Sequence, residues 1–436
     1  MKEIKYYFLL IIAKLMAFFI KALKSSGGTS FAGFFALKFD KDFIKTSAKF
    51  IDKQIVTVTG TNGKTTTSGV LTHILDENNK KVLSNSKGAN MISGIANTFA
   101  VGINPFKKFD YAVLETDEAY LTKLYDSLNA DYLLVTNLFH DQLDRYGEIS
   151  FTAQKIQSAI DKNKNLKVLL NADDPLVFNL KPQIKENAIY YSINKIEYES
   201  GGYVVSKKEI INCPICDKEL NYSNIFYGHQ GHYYCACGYS RPECKYSADI
   251  MVHSDYYSIK LFANDNVYEF TTHLVGLYNV YNVLGAIAMC FELGITDVQK
   301  ALDNYQPEFG RSETREIFGK KAIIQLVKNP TGANEVLKTI DKNSNILIAI
   351  NDNYADGRDM SWLWDTDFEI LNGCKNPIIT SGTRAYDVAT RLKYAGIDNI
   401  KAVPNLDDAI KEVSKGEKLT IIPSYTALLH INKNKY

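Results

Sequence analysis

The sequence predicts an α/β protein: a central domain on a phosphate-binding loop, a four-cysteine ribbon inserted into it, and a Rossmann-like domain at the C-terminal end. Three observations carry this. A β-rich run, Gln54 to Thr59, breaks on Gly60 and re-enters a helix at Lys64; short strands alternate with helical patterns on either side; and two close cysteine pairs interrupt that alternation.

Val56 to Thr67 reads VTVTGTNGKTTT. Glycines let the backbone wrap a phosphate, and the helix that follows, predicted to about Leu75, aims its first N–H groups and positive dipole end at the same place. Gly60, Thr61, Asn62, Gly63, Lys64, Thr65 and Thr66 are therefore expected to hold ATP. Lys64 supplies a point charge to the β/γ-phosphates, and the Thr65 hydroxyl is placed to ligate Mg²⁺.

After that helix, strands are predicted over Lys81–Ser86, Tyr111–Thr116, Asp131–Asn137, Leu166–Asn171 and Ala188–Ile193. Ten to fifteen helical residues between such strands argue for a parallel sheet covered on both faces, with ligands at the carboxyl ends of its strands. Tyr111–Leu114 runs into Glu115, Thr116, Asp117 and Glu118. Glu115 is the expected second Mg²⁺ ligand, whereas an acidic helix N-terminus accounts for Asp117 and Glu118 without a metal. The next two strands end in TNLFHDQLDRYGE, which contains Asn137, and in NADDP.

Cys213-Pro-Ile-Cys216, eighteen residues, then Cys235-Ala-Cys237 form two knuckles on turns, a donor set suited to tetrahedral Zn²⁺. The tyrosine-rich segment between them is too small for its own apolar core, so a structural metal supplies its fold. A hairpin over residues 252–274, turning at Asn264-Asp265-Asn266, and a helix from Gly276 to Ala288 that carries Asn282 follow. Arg311 closes Phe309-Gly310-Arg311, a junction where a guanidinium would reach a γ-phosphate. From Ala322 a second alternating set begins: Ala322–Leu326, Asn345–Asn351, Pro377–Ser381, Lys401–Val403 and Leu419–Pro423. Its distinctive stretch is NDNYADGRDMSWLWD, Asn351 to Asp365, richer in Asp and Trp than a turn requires. LVKNPTGAN and SGTRAYD are expected at the same end of that sheet.

At 436 residues and 46% hydrophobic the chain can bury two or three cores, and a formal charge of +1 supplies no field for nucleic acid, so none is expected as a partner. Seven cysteines, four of them in one short segment, point to a metal in a reducing, cytoplasmic compartment and not to disulfides. Tyr6 to Ile20 is apolar except for Lys14 and is flanked by lysines. It is too short to span a bilayer. It reads as a helix that either packs on the protein or lies peripherally on the inner face of the membrane. The expected organisation is this helix and linker over residues 1–50, an ATP-binding domain over 51–310 with the ribbon at about 205–247, and a C-terminal domain over 311–436.

The common phosphate-binding pattern has Gly at the position of Val58; the shorter form GTNGKTT resembles the Mur ligase superfamily. In that family Asn137 and the DQLDRYG run line the nucleotide site, and GLYNVYNVLGAIA, with Asn282 facing adenine, matches a further motif. Gln142 replaces the usual metal-binding His. The Cys₄ insert, VKNPTGAN and NDNYADGRDMSWLWD narrow the resemblance to the MurT family, the Mur-ligase-like subunits of lipid II isoglutaminyl synthases. That resemblance implies ATP-dependent amidation of the α-carboxyl of D-glutamate in the peptidoglycan stem of lipid II, by way of an acyl phosphate. ATP, Mg²⁺ and Zn²⁺ are the implied cofactors. The ammonia would come from a separate GatD-type glutaminase subunit, since no Cys and His pair in this chain sits in a glutaminase elbow. An Asp of the ADGRD run is implied to orient the partner's catalytic His. Asp356, on what reads as an exposed turn, is favoured over Asp359, which a helix cap also explains. Only about fifty residues precede the phosphate-loop strand, fewer than the domain with which Mur ligases hold nucleotide-linked muropeptides, and a lipid-linked substrate is expected accordingly. An amino-acid-adding ligase of the folylpolyglutamate type is the alternative within the enzymes; a nucleotide-binding zinc-ribbon scaffold is the alternative outside them.

Overall fold

Ile55 to Thr59 are buried on both sides of their strand, which is why this run reads as continuously apolar or β-branched instead of alternating. They end β1 (Ile51–Thr59), which pairs in parallel with β3 (Phe109–Glu115) on one side and β4 (Tyr132–Val135) on the other. The computed structural model describes residues 2–22, 30–85, 89–139, 149–199, 211–253, 255–274, 276–307, 311–434 and 436. These form two units, the first ending at Tyr305, the second running from Gln306 with two short earlier pieces, Phe139–Ile149 and Leu274–Tyr278.

The first unit is built on one nine-stranded sheet. Its remaining strands are β2 (Val82–Ser84), β5 (Lys167–Asn171), β6 (Ala188–Tyr198), β9 (Tyr246–Val252), β10 (Tyr257–Ala263) and β11 (Asn266–Thr272). The order is β11-β10-β9-β6-β5-β4-β1-β3-β2, parallel from β2 to β9 and antiparallel beyond it. The chain leaves β1 on one side for β2 and β3, then crosses to the other for β4 and β5. Such a reversal opens a crevice at the carboxyl end of the strand where it happens. A separate hairpin, β7 (Asn221–Tyr227) with β8 (Gln230–Tyr234), carries the cysteine insertion. The expected hairpin turns at Asn264 and Asp265, both in left-handed backbone conformation. β9 was not expected: its residues fall between the ribbon, expected to end at about 247, and the hairpin expected from 252.

Helices α1 (Lys2–Ala22), α2 (Phe31–Phe39) and α3 (Phe43–Ser47) pack onto this unit against α5 (Ile92–Gly102), while α4 (Lys64–Glu77) follows β1 directly. Tyr6 anchors α1: its hydroxyl hydrogen-bonds Ser47 Oγ at 3.0 Å, and its ring meets Phe43 and Phe50. The crossing of α2 on α5 is close enough to require glycine, since a Cβ on Gly33 would lie 2.1 Å from Ser93 O.

The second unit has six strands: β12 (Arg311–Ile317), β13 (Lys320–Gln325), β14 (Asn345–Ala349), β15 (Ile378–Ser381), β16 (Ile400–Ala402) and β17 (Leu419–Pro423). They order as β12-β13-β17-β14-β15-β16, parallel except for the β12–β13 hairpin. β14 shows why the sheet is covered twice. Ile346 and Ile348 face a core with Val388 and Leu392, and Leu347 and Ala349 face another with Ala409 and Ile410. A Rossmann-like layer arrangement results, as predicted.

Gly33→Ala forces α2 off α5. We expect a destabilisation of about 1–3 kcal/mol by overpacking, read as a lowered midpoint in thermal or urea unfolding; an unchanged midpoint would show that this crossing has slack.

Candidate active site

The loop after β1 is held by the end of β4. Asn137 donates from Nδ2 to Asn62 O at 3.1 Å and accepts the Asn62 N–H on Oδ1 at 2.9 Å, while its own carbonyl takes the Thr61 N–H at 2.9 Å. Thr136 Oγ1 adds a bond to Asn62 O at 2.7 Å. Gly60 and Gly63 have φ of +124° and +85°, and a Cβ on Gly63 would sit 1.9 Å from Asn282 Oδ1. Only glycine supplies that conformation and approach together. Gly63 is also the N-cap of α4, so the first N–H groups of Lys64, Thr65 and Thr66 face the loop. This is the geometry of an anion cradle.

Lys64 is 8% exposed. Its Nζ donates to Gly60 O at 2.6 Å and forms an ion pair with Glu118 Oε1 at 2.8 Å. Burial works against its charge, but Glu118, Asp117 and Glu115 outweigh it and raise the ammonium pKa, so the cation persists. Burial likewise lifts the Glu118 carboxyl, with Lys64 opposing. Thr65 Oγ1 donates to Glu115 Oε2 at 2.7 Å, and Asn90 Nδ2 to Glu115 Oε1 at 3.1 Å. The Glu115 backbone is fixed on both sides by Asn85, at 2.8 and 2.7 Å. A hydroxyl and a carboxylate oxygen thus meet beside the cradle, hard donors of the kind Mg²⁺ takes.

The structure therefore brings together Gly60 to Thr66, Asn137, Glu115 and Asn282. Asn282 bonds Asn279 Oδ1 at 3.2 Å and accepts from Thr67 at 3.4 Å, which seats it against the start of α4. Asp117 behaves as the expected cap, accepting the Ala119 N–H at 3.0 Å to open the helix α6 (Glu118–Leu124). Glu118 does not: the dipole reading is corrected, because its side chain is turned inward onto Lys64. Sequence reasoning missed it and Asn85. The signal available was that a buried P-loop lysine needs a carboxylate from somewhere. His140 to Glu148, with Gln142, and Gly310 lie outside the described residues, and of Arg311 only the backbone, as the first residue of β12, is described.

The four thiols of Cys213, Cys216, Cys235 and Cys237 lie within 4.8 Å of one another, with 3.6 Å between Cys213 and Cys237 and 3.5 Å between Cys216 and Cys235. Bonds of about 2.3 Å to a tetrahedral ion require sulfur separations of roughly 3.8 Å, so the cluster fits a Cys₄ metal. A hydrogen bond from the Cys237 backbone and the neighbouring thiols pull Cys235 down to about 7. The ribbon is fastened to the sheet at NADDP. Asp173, fully buried, accepts from Arg241 Nε at 2.6 Å, Tyr281 Oη at 2.9 Å and the Ile193 N–H at 2.7 Å. Asp174 accepts the Leu138 N–H at 2.8 Å and approaches His229 Nε2 at 3.3 Å. Tyr233 and Tyr239 donate to Ala172 O and Pro175 O.

In the second unit, Asp356 corrects the sequence reading. It is 6% exposed, not on an open turn, and accepts the Thr426 N–H at 2.7 Å, Thr426 Oγ1 at 2.5 Å and the Asn353 N–H at 3.2 Å. It thereby ties its turn to the first turn of a helix, Tyr425–Lys433. Asp359 is the more open of the two and accepts the Ser361 N–H at 2.9 Å, which holds its carboxyl below the usual range. It is not the helix cap expected of it: Ser361 is the N-cap of the helix Trp362–Asp365, and no side chain bonds there. Trp362 belongs to the core, whereas Trp364 and Tyr354 are exposed. SGTRAYD does meet the run: Thr383 Oγ1 and Arg384 Nη2 donate to Asp352 at 2.7 and 2.8 Å.

Lys64→Met combined with Glu118→Gln removes the ion pair without leaving a lone buried charge. The double variant should keep a near-native melting point yet bind Mg·ATP roughly tenfold to a hundredfold more weakly, the loss of hydrogen bonds to charged groups worth about 1.5–3 kcal/mol. Unchanged affinity in titration calorimetry would remove Lys64 from the nucleotide site.

Residues 58–290 match the Mur ligase middle domain and residues 326–428 the MurT ligase C-terminal domain. The chain is 35% identical over 418 residues to the lipid II isoglutaminyl synthase (glutamine-hydrolyzing) subunit MurT of Staphylococcus aureus strain COL, covering 94% of this chain and 93% of that one. To the subunit of the same name from Streptococcus pneumoniae it is 36% identical over 417 residues, covering 93% and 92%. Among solved structures, a pseudomurein peptide ligase type C from Methanothermus fervidus superimposes with a TM-score of 0.67 at 24% identity, covering 88% and 79%. A folylpolyglutamate synthase from Mycobacterium tuberculosis gives 0.57 at 13%, covering 90% and 95%; both are likenesses of fold. The chain belongs to the Mur ligase family and, within it, to the MurT subunits.

Proposed function

We propose that this chain is the ligase subunit of a lipid II isoglutaminyl synthase, amidating the α-carboxyl of D-glutamate with ammonia from a separate GatD-type glutaminase. The observation that carries the reading is the extent of the match: it runs through both units, the P-loop and the ADGRD run included, at 35% identity.

A carboxylate is a poor electrophile at neutral pH. Transfer of the ATP γ-phosphoryl group to one of its oxygens makes an acyl phosphate, which ammonia attacks to form the amide and release phosphate. The cradle of Gly60 to Thr66 orients the phosphates, and Lys64 neutralises charge that moves onto the transferred group. Mg²⁺ held by Thr65 and Glu115 would supply further positive charge across the phosphates. Arg311 is assigned to the γ-phosphate and Asn282 to the adenine side on the family resemblance. Burial pushes the Cys244 thiol up to about 11 and raises Cys290 and Cys374 as well, as suits thiols with a structural role. The reading gives nitrogen release to the partner. The third member of a Cys-His-Asp triad is commonly a buried carboxylate fixed by hydrogen bonds. Asp356 has that character, and the same run of sequence carries exposed Tyr354 and Trp364, side chains of the kind that anchor a partner. We assign zinc to the four cysteines.

With the glutaminase subunit present, Asp356→Asn should abolish amidation from glutamine and leave amidation from ammonium salts within about twofold of wild type, since Asn still accepts from Thr426. Equal loss with both nitrogen sources would refute the orienting role, and full activity would transfer it to Asp359. An amino-acid-adding ligase would instead consume ATP with a free amino acid and no partner. Elemental analysis should find one zinc per chain. Cys213→Ser should lose it and unfold at lower temperature, because metal binding and ribbon folding are one equilibrium; a zinc-free wild type with the same melting point would contradict this.

A further inference from the structure

Helix α1 has two faces of opposite habit. Tyr6, Leu9, Leu10 and Ala13 are buried against the unit, while Ile4, Phe8, Ile11, Leu15 and Phe18 are between 52% and 75% exposed. The exposed set follows the i, i+4, i+7, i+11, i+14 spacing of a single helical face, about 180° from the buried one. Neighbouring α2 leaves Phe31, Phe34 and Phe39 about half exposed as well. Soluble surfaces seldom present so many large apolar side chains together, and such a patch marks something that covers it.

Charge indicates what covers it. Residues 1–50 contain nine lysines against Glu3, Asp40 and Asp42, a formal +6 on a chain whose total is +1, so the remainder carries −5. Lys5, Lys38, Lys41, Lys45 and Lys49 are exposed. A second copy of this chain would set +6 against +6. An anionic lipid surface accepts both features, apolar side chains entering the acyl boundary and ammonium groups meeting the headgroups. No helix among the described residues is long and apolar enough to cross a membrane, and α1 is interrupted by Lys14, whose Nζ donates to Val101 O at 3.0 Å and so ties the helix to α5.

We propose that α1 and α2 form a membrane-docking face that lays the first unit on an anionic lipid surface, with Ile4, Phe8, Ile11, Leu15 and Phe18 inserted. The face is built in, since Tyr6 and Lys14 fix α1 to the unit and leave little ordering to be done on binding.

The full chain would be sedimented with vesicles of phosphatidylcholine alone or mixed with phosphatidylglycerol, at low and high salt. The expected result is binding to the anionic vesicles that weakens with salt. The variant Phe8→Ser/Ile11→Ser/Leu15→Ser/Phe18→Ser should lose roughly tenfold or more of that binding and keep wild-type ATP affinity, since none of the four residues is buried. Lys5→Ala and Lys38→Ala should each weaken it about fivefold. Three results would overturn the proposal: no binding to anionic vesicles, equal binding to neutral ones, or an unaffected serine variant. A dimer in size-exclusion chromatography that the serine variant dissolves would assign the face to a second copy instead. Vesicle binding is read without turnover, so its failure leaves the amidation reading standing, and the reverse.

Discussion

As the proposed phosphate contact, Lys64 has to be kept charged where water scarcely reaches it, and the first unit is arranged around that requirement. Lys64 is buried, and a buried ammonium persists only beside a carboxylate. Glu118 provides it from the opening of α6, across a sheet order that sets β1 beside β3. The glycines at 60 and 63, the Asn137 clamp and the Thr65 contact to Glu115 then follow as the means of bringing backbone N–H groups and hard oxygen donors to the same few ångströms.

The ribbon is tied into the same support. Asp173 receives Arg241 from beyond the second cysteine pair, and Asp174 receives the backbone N–H of Leu138, the residue after the Asn137 that clamps the loop. The insertion is thus connected through two buried carboxylates to the strand ends that hold the loop of Gly60 to Thr66. Burial raises the Asp173 pKa, and Arg241 and the Ile193 N–H act against that, which is how a carboxylate in the sheet interior stays satisfied.

Most of this organisation was legible in the sequence where the signal is local. The strand-turn-helix at Gly60, both sets of alternating strands, the hairpin at Asn264 and the cysteine knuckles each depend on residues a few positions apart, and each stands where it was expected. The partnerships that decide side-chain roles were not legible, because they join residues far apart in the chain. Glu118 reads as a dipole-complementing acid until its 54-residue separation from Lys64 is closed by β-pairing. Asp356 reads as an exposed turn residue until Thr426, seventy positions later, is brought against it by the neighbouring strands β14 and β17. Asp359 stands two residues ahead of the helix cap, which is Ser361, and a boundary that fine is beyond what a local pattern resolves. Trp362 and Trp364 show the same limit: periodicity in a four-residue helix cannot say which of two indoles faces the core.

The central claim is that the cradle charges a carboxyl group, and the most direct measurement follows the oxygen. Lipid II bearing ¹⁸O in the D-glutamate α-carboxylate, incubated with the chain, its glutaminase partner, Mg·ATP and glutamine, should transfer one labelled oxygen to inorganic phosphate for each amide formed. Amide formation with unlabelled phosphate would contradict the account.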